Sequence, residues 1–204
     1  MELLSINTIA FELVGYKMSY VELFGTLSGL ASVYYAARNN VMTWSSGIIN
    51  TILFFILFYQ VQLYSDMFLQ VYFLVISIYG WVFWSKPTNA SITYLTKPSL
   101  IRICALTAIA GVVVGIFMTK IHTLLPTIFT QPAAYPFADA QVMVFSMVAV
   151  VLLAKRKVDS WYLWVAVDVV STILFAMKGV YLVSAEYFVF LCIAISGLIS
   201  WRKL

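Results

Sequence analysis

The sequence predicts an all-α membrane protein of seven transmembrane helices, arranged as two parallel three-helix repeats joined by a linker helix. Three observations predict it. First, the chain is 63% hydrophobic and only 10% charged over 204 residues, with mean hydropathy +0.98. A soluble domain carries about 25% charged residues, so the medium around this surface must be lipid. At about 20 apolar residues per span the length holds about six to eight helices. Second, the stretch from Trp44 to Lys86, shifted by 117 residues, falls on Trp161 to Lys203 without a gap. Trp44 meets Trp161, Tyr64 meets Tyr181, Gly80 meets Gly197, Trp84 meets Trp201 and Lys86 meets Lys203. Such matches at one fixed offset mark an internal repeat. Third, basic residues segregate to one side of the expected spans.

The elements follow in order. Residues 1–20 are too short and mixed to span; Leu3, Ile6, Ala10 and Leu13-Val14 at helical spacing suggest a helix lying in the interface. Val21–Ala37 is the first span, rich in small residues that let helices approach. Trp44–Tyr59 is the second. Asp66–Trp84 is the third, closed by Trp81, Trp84 and Lys86-Pro87 as an interfacial anchor and a stop. Thr88–Pro98 reads as a polar loop and Leu100–Met118 as the fourth span. Lys120–Pro136, punctuated by Pro126, Pro132 and Pro136, reads as a loop. Asp139–Ala154, Trp161–Met177 and Ser184–Trp201 complete the set. Cys104 and Cys192 lie in apolar runs and read as packing residues. No positively charged start precedes a cleavable apolar core, so no signal peptide is expected.

With seven spans, Arg38, Lys86, Lys97, Arg102, Lys155, Arg156, Lys157, Arg202 and Lys203 fall on one side, against Lys17, Lys120 and Lys178 on the other. This bias places the N terminus outside and the C terminus in the cytoplasm. Both copies keep positive charge at equivalent ends, Arg38 against Lys155 and Lys86 against Lys203. They therefore share one orientation, which needs an odd number of spans between them, and Leu100–Met118 supplies it. The expected organisation is an interfacial segment 1–20, a first repeat 21–86, a linker helix with flanking loops 87–138 and a second repeat 139–204. This is a transporter layout, with a site expected between the halves near the midplane.

Ionisable and polar groups within spans are the candidate site. Asp168 stands among Val165, Val167, Val169 and Val170, and Trp161, Trp164 and Asp168 share one helix face. A carboxylate above indoles suits a cation; the competing reading is that Asp168 pairs with a neighbouring helix and the Trp residues form an interfacial belt. Asn50 and Thr51 occupy the equivalent place in the first copy, where helix–helix glue competes for Asn50. Gln70, Phe73, Ser77 and Trp81 share a face of the third span, as a polar and aromatic ligand surface or a packed seam. Tyr187 and Ser196 are candidates on the seventh span. Glu186 reads as a rim charge, with a ligand role as the alternative, Asp139 as an outer-edge residue and His122 as a solvated loop histidine. No phosphate-binding glycine loop, HExxH or Cys/His pair with ligand spacing occurs. No metal, cofactor, nucleic-acid partner or enzymatic activity is expected.

Several runs resemble the PnuC family of vitamin transporters: Trp44-Ser-Ser-Gly47-Ile-Ile-Asn50, Gln62-Leu63-Tyr64 with Leu69-Gln70, and Tyr79-Gly80-Trp81-x-x-Trp84. So do Pro136-Phe137-x-Asp139, Trp161-x-x-Trp164 and Gly179-Val180-Tyr181. The likeness covers roughly Val21 to Trp201. It implies a fold of three helices, a linker and three helices, as in SWEET transporters. It also implies facilitated diffusion of nicotinamide riboside, trapped by cytoplasmic phosphorylation, at a bacterial inner membrane. Relatives carry thiamin or riboflavin. The family's ligand sits among the second, third, sixth and seventh spans, which carries a binding role onto Asn50, Gln70, Trp164 and Asp168. Some riboside carriers have Asn at the places of Asp168 and Ser196. Both nicotinamide riboside and thiamin bear a cationic ring, so Asp168 suits either and disfavours neutral riboflavin. A thiamin carrier and a non-transporting receptor or scaffold are the alternatives. A homotrimer is the expected assembly, which the residues themselves leave open.

Overall fold

In the computed structural model of the protein, residues 2–13, 15–60, 64–86, 91–127, 132 and 134–204 are described. Seven helices follow one another: α1 (Tyr20–Ala37), α2 (Met42–Gln60), α3 (Tyr64–Ser85), α4 (Lys97–Leu124), α5 (Pro136–Ala154), α6 (Asp159–Met177) and α7 (Tyr181–Trp201). Among the described residues, α2 to α7 are long and apolar enough to cross a membrane. The 18-residue α1, the expected first span, is not among them. It carries Glu22 and a series of Gly, Ser and Thr, which lower its apolar character. Residues 62 and 63 of the motif set, and residues 87–90, 128–131 and 133 of the expected loops, lie outside the described residues.

The chain forms two compact units, Met1–Ala90 and Ser91–Leu204. In the first, α2 packs between α1 and α3. In the second, α4, α5, α6 and α7 each pack on the next, so the helix read as a linker belongs to this unit. Its Gly111 and Gly115, one turn apart, lie against Gln141 and Phe137 of α5, with a Cβ on either coming within 2.5 Å of those side chains. Gln141 Nε2 donates to the Ala108 carbonyl across the same seam at 3.0 Å. Small residues four apart permit this approach.

The N-terminal segment corrects the expectation of an interfacial helix. A 3-10 turn (Glu2–Leu4) leads into an antiparallel ribbon of β1 (Ile9–Leu13) and β2 (Tyr16–Ser19). Gly15 takes φ 81° between the strands, a conformation that favours glycine and breaks a helix. Ile9, Phe11 and Leu13 also alternate with period two, and this pattern prevails over the helical spacing. The Tyr16 hydroxyl donates to Glu22, and Ser19 caps α1 by accepting from Glu22 N. The turn is clasped to the end of α2: Ile6 N donates to Gln60 Oε1 at 3.0 Å and Gln60 Nε2 to the Leu4 carbonyl at 2.7 Å.

The repeat is visible in backbone detail within each unit. Asn39 and Arg156, 117 residues apart, both take the left-handed region at φ 49° and 54°. Asn39 N bonds Ala36 O at 2.9 Å and Asn40 N bonds Tyr35 O at 2.9 Å; Arg156 N bonds Leu153 O at 2.8 Å and Lys157 N bonds Leu152 O at 2.9 Å. An L residue loses about 1–2 kcal/mol there, least for Asn with its short polar side chain. In the second unit a strap supports the costlier Arg156. Thr93 N donates to Arg156 O at 3.1 Å, Val158 N to Thr93 O at 3.0 Å and Leu95 N to Asp159 Oδ2 at 2.6 Å. Burial at this turn lowers the pKa of Arg156 from the usual arginine value.

Each unit is closed at the same repeat position by an indole lock. Trp44 of α2, 2% exposed, meets Trp84 of α3 edge-on at 5.3 Å and 87°. Trp161 of α6, 1% exposed, meets Trp201 of α7 at 5.6 Å and 79°. Gly80 and Gly197 make room for the rings: a Cβ would lie 2.5 Å from Trp44 and 2.7 Å from Trp161. Such edge-to-face pairs add about 0.5–1.5 kcal/mol beyond burial.

Candidate functional site

The second unit centres its polar residues on α6. Asp159 in the first turn is spent on Leu95 N. Trp161 belongs to the lock with Trp201, so the ring that the sequence assigned to a ligand fills the α6–α7 seam. Trp164, half-buried, packs against the Ala149–Leu152–Leu163 cluster. Asp168 stands at the midpoint of α6, one turn beyond Trp164, and is 4% exposed. No described residue donates a hydrogen bond to its carboxylate. Its backbone carbonyl accepts from Thr172 Oγ1 at 2.7 Å, and Ser184 Oγ of α7 donates to the Thr172 carbonyl at 2.7 Å, tying α7 to α6 just beyond Asp168.

An unpaired carboxylate at bilayer depth costs about 2.5–3.5 kcal/mol on insertion scales. A structural acid is held by donors, as Asp139 is: Lys178 Nζ reaches both its oxygens at 2.8 Å. The ion pair occupies Asp139, and Lys178 also lies over Phe175 at 5.4 Å. Phe175 stacks on Tyr187 at 5.3 Å and 9°, and Tyr187 meets Phe190 edge-on at 6.0 Å. These contacts and the lock set an antiparallel register in which Asp168 lies level with Ala194. Tyr187 then sits about 10 Å further along α7, in an aromatic pile. Ser196 lies near the Asp168 level, on an exposed face of α7.

In the first unit Asn50 Nδ2 donates to the Gly25 carbonyl at 2.9 Å, a helix tie that leaves its carbonyl oxygen for other use. Thr51, 4% exposed, bonds its own helix at Ile48 O. Gln70 is half-buried on α3, and Phe73 meets Tyr72 edge-on at 5.9 Å. Ser77, 5% exposed, lies in a seam where a Cβ on Gly47 would come 3.4 Å from its hydroxyl and 3.2 Å from that of Ser32. His122 stands in the last turn of α4, not in a loop, because the apolar run continues past Met118 with Ile121 buried against the unit. Sequence reasoning missed Ser171, fully buried on α6 with no partner for its hydroxyl. A serine three residues from a buried acid was the available signal.

Residues 19–203 match the nicotinamide mononucleotide transporter family. The chain is 33% identical to the nicotinamide riboside transporter PnuC of Escherichia coli, covering 92% of this chain and 87% of that one. It is 22% identical to the riboflavin/roseoflavin transporter RibM of Streptomyces davaonensis, over 96% and 91% of the two chains. The crystal structure of the vitamin B3 transporter PnuC has the same fold, with TM-score 0.69 and 22% identity over 90% of this chain and 81% of that chain.

Proposed function

The chain belongs to the nicotinamide mononucleotide transporter family, and on that premise we propose that it carries nicotinamide riboside across the membrane by facilitated diffusion. It is a membrane transporter and not an enzyme. The observation that carries the substrate reading is Asp168, a buried carboxylate at the midpoint of α6 that accepts from no described residue. A pyridinium ring supplies the missing charge, and Trp164 one turn away supplies an aromatic face. Between Asp159 and Trp201 the only basic residue is Lys178, itself paired with Asp139. This disfavours the phosphorylated mononucleotide. Neutral riboflavin leaves the carboxylate uncompensated.

The ligand residues proposed for the second unit are Trp164, Asp168, Tyr187 and Ser196, with Trp161 holding α6 against α7. Those proposed for the first unit are Asn50, Gln70, Phe73 and Ser77. Thiamin is the second reading, because its thiazolium offers Asp168 the same charge. Titration of the purified protein is expected to give saturable binding of nicotinamide riboside, tighter than thiamin and with riboflavin inert. Thiamin binding alone would move the assignment to the second reading.

We also propose that α1 completes a seventh span, giving the arrangement of three helices, a linker and three, in a bacterial inner membrane. The N terminus is then outside and the C terminus cytoplasmic, as the basic residues require. A homotrimer remains the proposed assembly. A reporter joined after Leu204 is expected to be active only in a form that works in the cytoplasm; activity of a form restricted to the outside refutes the orientation.

A further inference from the structure

We propose that Ser171 is a specificity-determining residue of the Asp168 site, reading a hydroxyl of the ligand while Asp168 meets the cationic ring. This rests on the carrier reading above and narrows its substrate class to hydroxylated glycosides of a cationic ring.

The internal repeat supplies the control. Shifted by 117 residues, Asp168 and Ser171 fall on Thr51 and Phe54. In the first unit both places are chemically closed. Thr51 Oγ1 donates to the Ile48 carbonyl at 3.0 Å. Phe54 stacks on Phe58 at 5.7 Å and 20° and rests over Gly25, 3.4 Å from where a Cβ would stand. In the second unit neither place has a hydrogen-bond partner among the described residues. Ser171 is 0% exposed and its hydroxyl has no partner; Asp168 is 4% exposed, and its carboxylate accepts from no described residue.

The Ser171 hydroxyl also departs from other buried hydroxyls of the helix interiors; Ser160, likewise unpaired, stands in the first turn of α6, away from Asp168. Buried hydroxyls in a helix ordinarily turn back onto the preceding turn. Thr107 bonds Ile103 O, Ser146 bonds Val142 O and Thr172 bonds Asp168 O, each at 2.7 Å. A polar group left unmade in a buried place is destabilising and needs a reason. Residues three apart share a helix face, so an unpaired hydroxyl and an unpaired carboxylate lie one turn apart. Together they offer a donor and a charged acceptor. A sugar hydroxyl can accept from the first and donate to the second while the ring attached to the sugar brings the positive charge. A ring cation without hydroxyls would leave Ser171 unpaired.

The test crosses one substitution with a ligand series. Binding of nicotinamide riboside and of its 2′-, 3′- and 5′-deoxy analogues is measured on the intact protein and on Ser171→Ala. The smaller side chain makes no new contact, and the melting temperature of each empty protein checks the fold. The variant is expected to bind nicotinamide riboside about fivefold more weakly, in line with the loss of one hydrogen bond. For the one analogue that lacks the hydroxyl being read, wild type and variant should agree within about twofold. Equal losses across all four ligands, or no loss for the riboside, overturn the role of Ser171. A wild-type protein that binds none of the four overturns the carrier reading itself, and the Ser171 role with it.

Discussion

Asp168→Asn is expected to weaken binding of nicotinamide riboside by about tenfold or more, a loss of about 1.4 kcal/mol, and to raise the melting temperature of the empty protein. The two effects have one cause. The carboxylate is buried at the middle of α6 with no donor among the described residues, so in the empty protein it is destabilising by roughly 2.5–3.5 kcal/mol on insertion scales. Asparagine keeps the shape and hydrogen-bonding capacity but removes the charge. What the empty protein gains, the complex loses, because the cationic ring is attracted to the carboxylate where water is excluded. The neutral reduced-ring riboside should lose much less. Isothermal titration with both ligands, beside thermal unfolding without ligand, reads all three quantities. Equal losses for the two ligands would mean that Asp168 shapes the site without supplying its charge. A fall in the stability of the empty protein would mean that the carboxylate has a structural partner.

Gly197→Ala and Gly80→Ala are each expected to destabilise the protein by about 1–3 kcal/mol, the range for overpacking a close-packed contact. The added methyl would stand 2.7 Å from the Trp161 ring in one case and 2.5 Å from the Trp44 ring in the other. Neither indole can retreat, since each is at most 2% exposed and braced against a second Trp. The helix pair must therefore part. Trp161→Leu should recover part of the loss when combined with Gly197→Ala, because contacting residues couple; the same change should do nothing for Gly80→Ala, whose ring belongs to the other unit. Melting of the single and double variants in detergent measures this. Additive losses for Trp161→Leu with Gly197→Ala would show that the ring and the glycine do not form one lock.

The helices were legible because span signals come from composition over some twenty residues. Asp139–Ala154 and Ser184–Trp201 from the sequence lie within the observed Pro136–Ala154 and Tyr181–Trp201. What composition cannot show is which side chain meets which. The fixed-offset match of Gly80 and Gly197 was plain in the sequence, but the ring each glycine admits lies 36 residues earlier on another helix. For the same reason one helix face could hold Trp161, Trp164 and Asp168 without revealing that Trp161 turns to α7. Gly111 and Gly115 stand in an apolar run, and the side chains they admit, Gln141 and Phe137, lie on α5. The N-terminal ribbon was missed because Leu3, Ile6 and Ala10 fit a helical period, while Gly15 sets the chain into a hairpin. Asp168 was legible because a charge in an apolar run has few explanations. Ser171 was hidden because most serines in helices satisfy themselves.

The central claim is passive carriage of a cationic riboside, and uptake into proteoliposomes tests it most directly. Purified protein in sealed vesicles, with labelled nicotinamide riboside outside, is expected to fill them until the inside and outside concentrations are equal. Unlabelled nicotinamide riboside trapped inside should speed entry of the label by exchange. An imposed sodium or proton gradient should leave the final level unchanged, since the described spans place no second buried acid beside Asp168 to form a relay. Accumulation above the outside concentration under such a gradient, with no kinase present, would contradict the account, as would vesicles that bind the riboside without admitting it.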